Sequence, residues 1–236
     1  MKAVLSPKSG SADILHIVEK PKPEPRAGEL LVAVRSATVT SGDVQMRRLP
    51  RWLLTVVGAL AGFKPMETPG IEYAGDVEAV GPDVTAFSVG DAVCGTTTGL
   101  RHGANAQWVV VPAEPKHGVI QRKPEALSYD QAVACIVGGM TAMQLLNKAG
   151  AGEGDRALIY GASGHVGSSA LQLAKILGCH VTGVCSTANL KLAGSLGADH
   201  VVDYTAESIT DSDARYDLIL DAVGKLPKSR CRSILA

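Results

Sequence analysis

The sequence has no net charge of either sign, with 23 basic and 23 acidic side chains among its 236 residues. A protein that holds nucleic acid or an anionic membrane by its overall field carries an excess of Lys and Arg, so neither is expected as a partner. Paired cysteines are missing too. The five cysteines, Cys94, Cys135, Cys179, Cys185 and Cys231, are odd in number and form no C-x-x-C pair. That argues against a disulfide framework and for a reducing, cytosolic compartment. No charged segment with an apolar core opens the chain, so no signal peptide is expected. The one apolar stretch to weigh against a membrane, Trp52 to Phe63, is too short to span a bilayer. It reads as a buried or pocket-covering helix, or, given the flanking Arg47, Arg48, Arg51 and Lys64, as an interfacial amphipathic one. Low-complexity tracts and internal repeats beyond a βα alternation are absent.

What is present is enough apolar material for buried cores, 46% of the residues, in a length that fits one large or two modest domains. The most informative segment is Gly161-Ala162-Ser163-Gly164-His165-Val166-Gly167. It follows the apolar run Ala157 to Tyr160 and opens a helical pattern from Ser168 to Leu177, which stops at Gly178. A strand, a glycine turn and a helix N-terminus in that order let the backbone approach a pyrophosphate, whose charge meets the positive end of the helix. Read as G-x-G-x-x-G the run is imperfect, with Ala162 in the first glycine position. Its context supplies the rest. Further strands are expected at His180 to Val184, His200 to Asp203 and Tyr216 to Asp221, with a helix at Asn189 to Leu196 and the turn Ala222-Val223-Gly224 at the end. Strands alternating with helices at this spacing predict a parallel, doubly wound sheet that binds a dinucleotide. The alternative is a glycine-rich turn that binds nothing.

Up to about residue 125 the pattern is different. Strands are expected at Glu29 to Arg35, Tyr73 to Val80, Val89 to Cys94 and Ala106 to Val111, punctuated by Pro21, Pro23, Pro25, Gly81-Pro82-Asp83 and Gly90-Asp91. From Ser128 the pattern turns helical, Tyr129 to Ala149, with an interruption expected at Gly138-Gly139. The boundary falls near 120 to 128, giving a β-rich domain, 1–125, and a dinucleotide-binding domain, 126–236.

Together these pieces resemble the medium-chain dehydrogenase/reductase superfamily. The resemblance is carried by Pro69 to Gly81, Phe87 to Gly95, Gly161 to Lys175 and Gly197 to Tyr204, in family order over nearly the whole chain. It implies an α/β fold: an N-terminal GroES-like β-rich domain followed by a Rossmann domain. Zinc-dependent members place a cysteine three residues before an early aspartate and a histidine within a G-H-E triplet. Here those places hold Thr40, before Asp43, and Ile71, between Gly70 and Glu72, and neither can replace thiolate or imidazole. The four-cysteine structural zinc loop is also missing. The resemblance is therefore to the zinc-free, quinone-oxidoreductase-like branch, with no metal expected. Members of that branch pass hydride from NADPH to quinones, enones or related carbonyls, acceptors electrophilic enough to react without a Lewis acid.

The same resemblance nominates site residues. In the β-rich domain, Thr40 and Tyr73 are candidate hydrogen-bond donors to the acceptor, Tyr73 being equally a core tyrosine. Asp43 reads more as a loop-positioning group than a proton carrier, and Thr141 aligns with a family threonine near the nicotinamide. Gly161, Ala162, Ser163, Gly164, His165, Val166 and Gly167 form the cofactor loop, where His165 reads as a helix-start residue, and Val223 completes it. An NAD site places Asp or Glu about 20 residues after the glycine turn; Cys185-Ser186-Thr187-Ala188-Asn189 has none. NADPH is therefore the expected cofactor, with Ser186, Thr187, Asn189 and Tyr204 donating to its 2′-phosphate. His102 and His200 receive no role.

Family members continue through two more Rossmann strands and a segment that completes the β-domain. The chain as given ends in a helix beginning near Pro227, so its sheet is expected to be incomplete, with four strands ordered 3-2-1-4 and the fourth as an unprotected edge. The dimer contact of the family uses a later strand, so a homo-oligomer is expected through another surface. A hydrophobic carbonyl or quinone substrate is implied by the apolar loop 47–66. The alternatives to an NADPH-dependent oxidoreductase are a nucleotide-binding protein of little or no activity, such as a sensor, and a structural subunit of an assembly.

Overall fold

The computed structural model describes residues 1–60, 67–97, 103–211 and 213–236. The chain divides into two units, Met1–Ile136 and Val137–Ala236.

The first unit begins with the antiparallel pair β1 (Lys2–Leu5) and β2 (His16–Glu19). Then come β3 (Glu29–Ala37), α1 (Ser41–Arg48), α2 (Arg51–Leu60), β4 (Glu72–Val80), β5 (Ala92–Thr96), β6 (Trp108–Pro112), β7 (Ile120–Arg122) and α3 (Tyr129–Ala134). The last five-stranded sheet is antiparallel, in the order β6-β3-β4-β5-β7. Its core is built from Leu30, Val32, Tyr73, Val77, Val93, Val109, Val111 and Ile120. Leu30 and Val32 alternate inward along β3, the period of a half-buried strand. The strand expected at Val89 to Cys94 starts later, because Ser88 to Asp91 form a turn in which the Asp91 carboxylate accepts the Ser88 amide at 2.9 Å. Helix α3 packs on β3, β4 and β5 and so belongs to this unit, pinned by Tyr129, whose hydroxyl donates to Asp76.

The apolar stretch from Trp52 forms α2 but is no core helix. Trp52 is 69% exposed and Leu60 85%, and with Val56 they form one stripe at i, i+4 spacing. Gly62, Phe63, Lys64 and Met66 of the expected substrate loop lie outside the described residues, as does His102.

The second unit follows with α4 (Ile136–Ala149, from Val137 on), β8 (Arg156–Tyr160), α5 (His165–Ile176), β9 (His180–Cys185), α6 (Leu190–Ser195), β10 (His200–Asp203), β11 (Leu218–Asp221) and α7 (Lys228–Ile234). Its sheet is parallel in the order β10-β9-β8-β11, the expected 3-2-1-4. Alternation along the strands sends Ala157 and Ile159 to one face with Leu171, Ala174, Leu146 and Val181, and Leu158 to the other with Val184, Ile209, Tyr216 and Ile234. Both faces are covered, which is why these strands are almost continuously apolar. Fully burying a residue such as Leu171 contributes roughly 1.5–3 kcal/mol.

One expectation needs correction here. Helix α4 is not interrupted at Gly138-Gly139; the break falls before it, at Cys135, where α3 ends. Taken together, Tyr129–Ala149 is long and apolar enough to cross a membrane by length and composition. Its α3 part instead lies on the first unit's sheet, while Ala142 and Leu146 of α4 enter the second unit's core. The outer edge of β11 pairs with no other strand among the described residues, as expected, and the end of the chain meets the backbone only just before β11 begins. Tyr216 forms a parallel bridge with Leu235, donating its amide to the Ile234 carbonyl and accepting the Ala236 amide, both at 2.9 Å.

Candidate functional site: the turn between β8 and α5

The glycine turn is set by two steric facts. Gly161 ends β8 with φ +83°, a left-handed conformation that suits glycine. A Cβ on Gly167 would stand 2.0 Å from the Gly161 carbonyl oxygen, so the first turn of α5 can lie against the end of β8 only because residue 167 has no side chain. The helix starts at His165, three residues earlier than the periodicity suggests, with Gly164 as its N-cap and no capping side chain. The first amides of an α-helix lack intrahelical partners, and here no side-chain oxygen caps them at the N-cap position, leaving the positive helix end available to an anion. Ala162 is buried beneath the turn, Ser163 and Val166 are half-buried around it, and Val223 lies over it: a Cβ on Gly161 would meet its Cγ2 at 2.4 Å.

His165 is held by packing. Gly138 of α4 faces it so closely that a Cβ there would be 2.4 Å from the His165 Cδ2 and 2.7 Å from its carbonyl oxygen. Thr141, three residues on, shares the same side of α4 and is half-buried. The structure thus brings α4 and the start of α5 together at Gly138 and His165, with Thr141 one helical turn further along α4.

Val223 is placed by Asp221, a residue sequence reasoning did not single out. Its carboxylate accepts the amides of Val223 and Gly224, both at 2.9 Å, and of Leu226 at 2.7 Å, fixing the turn after β11. Burial, and secondarily Asp221 and Tyr204, hold the Tyr160 hydroxyl above the usual phenol range.

The adenosine end of the expected site lies where β9 and β10 stop side by side, with Asp203 paired to Cys185 in the ladder. Asn189 donates to the Ser186 hydroxyl at 3.2 Å. Tyr204 is half exposed, 6.2 Å from the Tyr160 ring, and its amide donates to the Cys185 carbonyl. Thr187 donates its hydroxyl to the Asp203 carboxylate at 2.5 Å. A carboxylate therefore does stand at this corner, although none is in the 185–189 segment. It comes from the end of the neighbouring strand, which a search along β9 alone passes over.

The first unit's candidates occupy structural roles. Thr40 is the N-cap of α1, and Asp43 completes a capping box: its carboxylate accepts the Thr40 amide at 2.8 Å and the Thr40 hydroxyl at 2.9 Å. Its other oxygen accepts the Gly70 amide at 3.2 Å, joining α1 to the strand that follows. Tyr73 is 0% exposed in the middle of the core, and its hydroxyl has no hydrogen-bond partner among the described residues. Burial, with a smaller contribution from Cys94, pushes that hydroxyl far above the usual phenol range. Of the two roles the sequence allows Tyr73, substrate donor or core tyrosine, its burial matches the second. Ile71 carries no donor, the Thr40 hydroxyl is committed to Asp43, and among the described residues no group of three or more His, Cys, Asp or Glu could hold a metal ion. The residues in these places do not fit a zinc ion.

Residues 26–122 match the alcohol dehydrogenase GroES-like domain, and residues 166–234 match the family described as zinc-binding dehydrogenase. Among curated proteins, the chain is 32% identical to a chloroplastic quinone-oxidoreductase homolog of Spinacia oleracea, over 93% of this chain and 67% of that one. It is 32% identical to 2-methylene-furan-3-one reductase of Solanum lycopersicum, over 97% of this chain and 58% of that one. Among solved structures, mycobacterial Rv1454c complexed with NADPH superposes with a TM-score of 0.71 at 30% identity, over 86% of this chain and 59% of the other. The chain spans between about half and two thirds of the length of such curated relatives. With both halves matched in order and the GroES-like and parallel sheets in place, the chain belongs to the medium-chain dehydrogenase/reductase superfamily, as a quinone-oxidoreductase-like member.

Proposed function

We propose that this protein is an oxidoreductase that binds NADPH on its second unit and reduces a quinone, enone or related hydrophobic carbonyl without zinc. The single observation carrying this reading is the Gly161–Gly167 contact, which shapes an uncapped helix start for a pyrophosphate. The names of the spinach and tomato relatives and the NADPH-bound neighbour support the acceptor class and the cofactor. Bound there, the dihydronicotinamide would supply the hydride. The α5 amides would hold the pyrophosphate, Val223 and Thr141 would flank the cofactor, and Ser186, Thr187, Asn189 and Tyr204 would contact its adenosine end. The metal-free part of the proposal rests on Thr40 and Ile71, which offer no ligand set.

The proposal extends to a homo-oligomer and to a cytosolic location. The edge position of β11 among the described strands and the five free cysteines support these. The spinach relative is chloroplastic, so fractionation is the check on the compartment.

A second reading has its own observation. With Tyr73 sealed and Thr40 bonded to Asp43, the first unit's nominated donors are engaged in structure, which favours a nucleotide-binding protein with weak or no turnover. Titration with NADPH and NADH, followed by intrinsic fluorescence and thermal shift, tests the binding; a quinone and enone screen then separates the readings. NADPH oxidation at saturating protein sinks the second, and tight binding without oxidation sinks the first.

A further inference from the structure

We infer that Asp203 determines the nucleotide selectivity of the site: its carboxylate accepts the adenosine ribose 2′-hydroxyl, so the protein takes NADH as well as NADPH. The inference rests on the dinucleotide reading above and qualifies its preference for the phosphorylated cofactor.

In an open parallel sheet the ligand lies beyond the carboxyl ends of the strands, and the acidic residue that reads the ribose normally ends the strand after the glycine turn. Here β9 ends without one. The parallel register puts Asp203 directly beside Cys185, so the carboxylate of the third strand stands at the corner that the second leaves neutral. Its surroundings are all donors. Thr187 gives its hydroxyl to one oxygen at 2.5 Å, and Thr205 gives its amide at 2.9 Å and its hydroxyl at 2.7 Å to the other. The two threonine hydroxyls lie 3.0 Å apart, forming a small exposed cluster around a half-buried acid. These hydrogen bonds, that of Thr187 foremost, hold the carboxyl below the usual range, so it is ionised at neutral pH.

No Lys or Arg forms an ion pair with Asp203 among the described residues. A 2′-phosphate entering this corner therefore meets an uncompensated negative charge. It also meets a Thr187 hydroxyl already committed to an acceptor. A ribose 2′-hydroxyl brings a hydrogen that the carboxylate can accept, which is the usual chemical basis for taking the non-phosphorylated nucleotide.

The test measures dissociation constants of NADH and NADPH for the full chain by calorimetry, in wild type, Asp203→Asn and Asp203→Glu. Wild-type affinities within about tenfold of each other are expected. Asp203→Asn should move the ratio toward NADPH by about tenfold, which is about 1.4 kcal/mol, and Asp203→Glu should keep it near wild type. A merely structural role would weaken both nucleotides together and leave the ratio unmoved, which overturns the inference. Should Asp203→Asn fail to fold, wild type alone decides through competition by adenosine 5′-phosphate and adenosine 2′,5′-bisphosphate: comparable displacement supports the inference, and displacement by the bisphosphate only overturns it. NADPH binding without NADH binding overturns it too, while the dinucleotide reading stands. Binding of neither nucleotide defeats that reading and this inference with it.

Discussion

Gly167 lies against Gly161 at a separation that admits no Cβ: the missing atom would be 2.0 Å from the Gly161 carbonyl oxygen and 2.7 Å from its carbon. Both obstacles are backbone, so no side-chain rotation relieves them. Gly167→Ala should therefore displace α5 from the end of β8, costing about 1–3 kcal/mol. A lower melting temperature and loss of nucleotide binding are expected by thermal shift and titration. Gly164→Ala is the control, since its Cβ would sit 3.4 Å from the same oxygen; equal damage from both substitutions would refute the steric account.

Tyr73→Phe removes a buried hydroxyl that has no hydrogen-bond partner among the described residues. Deleting an unsatisfied buried donor relieves a desolvation cost of about 1–3 kcal/mol, so the melting temperature should stay level or rise. Any NADPH oxidation by the wild type should persist in the variant. A hundredfold fall in turnover at unchanged stability would restore Tyr73 as a substrate contact.

Asp43 anchors the capping box of α1 and the Gly70 amide. Asp43→Ala should cost about 1–3 kcal/mol in denaturant unfolding, because it strips the cap and leaves a buried amide unpaired. Thr40→Ala should cost about 0.5–2 kcal/mol. Activity per folded molecule is expected to survive both; a fall in kcat without a change in stability would contradict the structural assignment.

Asp217 accepts the Arg156 backbone amide at 2.9 Å and its guanidinium at 3.0 and 3.1 Å, which holds the carboxyl down to about 2. A carboxylate depressed in the folded state stabilises above its unfolded pKa, about 3.9, and that contribution fades as pH falls toward 2. The melting temperature of Asp217→Asn should thus sit below wild type by a steady margin from pH 5 to 8. The margin should close between pH 4 and 2. A margin unchanged at pH 2.5 would place the effect in packing instead.

The sheet order of the second unit could be read from the chain because each strand is a short apolar run followed by a helix, a pattern with few parallel solutions. Three things could not be read. Asp203 joins the nucleotide corner through the register of β10 beside β9, a relation between strands that lies 18 positions away from Cys185. Gly138 looks like a helix breaker in one dimension, whereas in three its bare Cα is what lets α4 continue past His165. Tyr73 alternates in phase with its strand whether it points to solvent or core, and only its packing in the core cluster with Leu30, Val32, Val93 and Ile120 buries it.

The Gly138–His165 contact also works as a spacer gauge. The imidazole edge and the carbonyl of His165 both press on the same point of α4, so neither helix can roll or slide there without driving atoms together. Trimming the histidine alone removes one stop and leaves the other. Residue 138 is consequently confined to glycine even in a variant with a smaller residue at 165, and the distance between α4 and the start of α5 is fixed by the backbone itself.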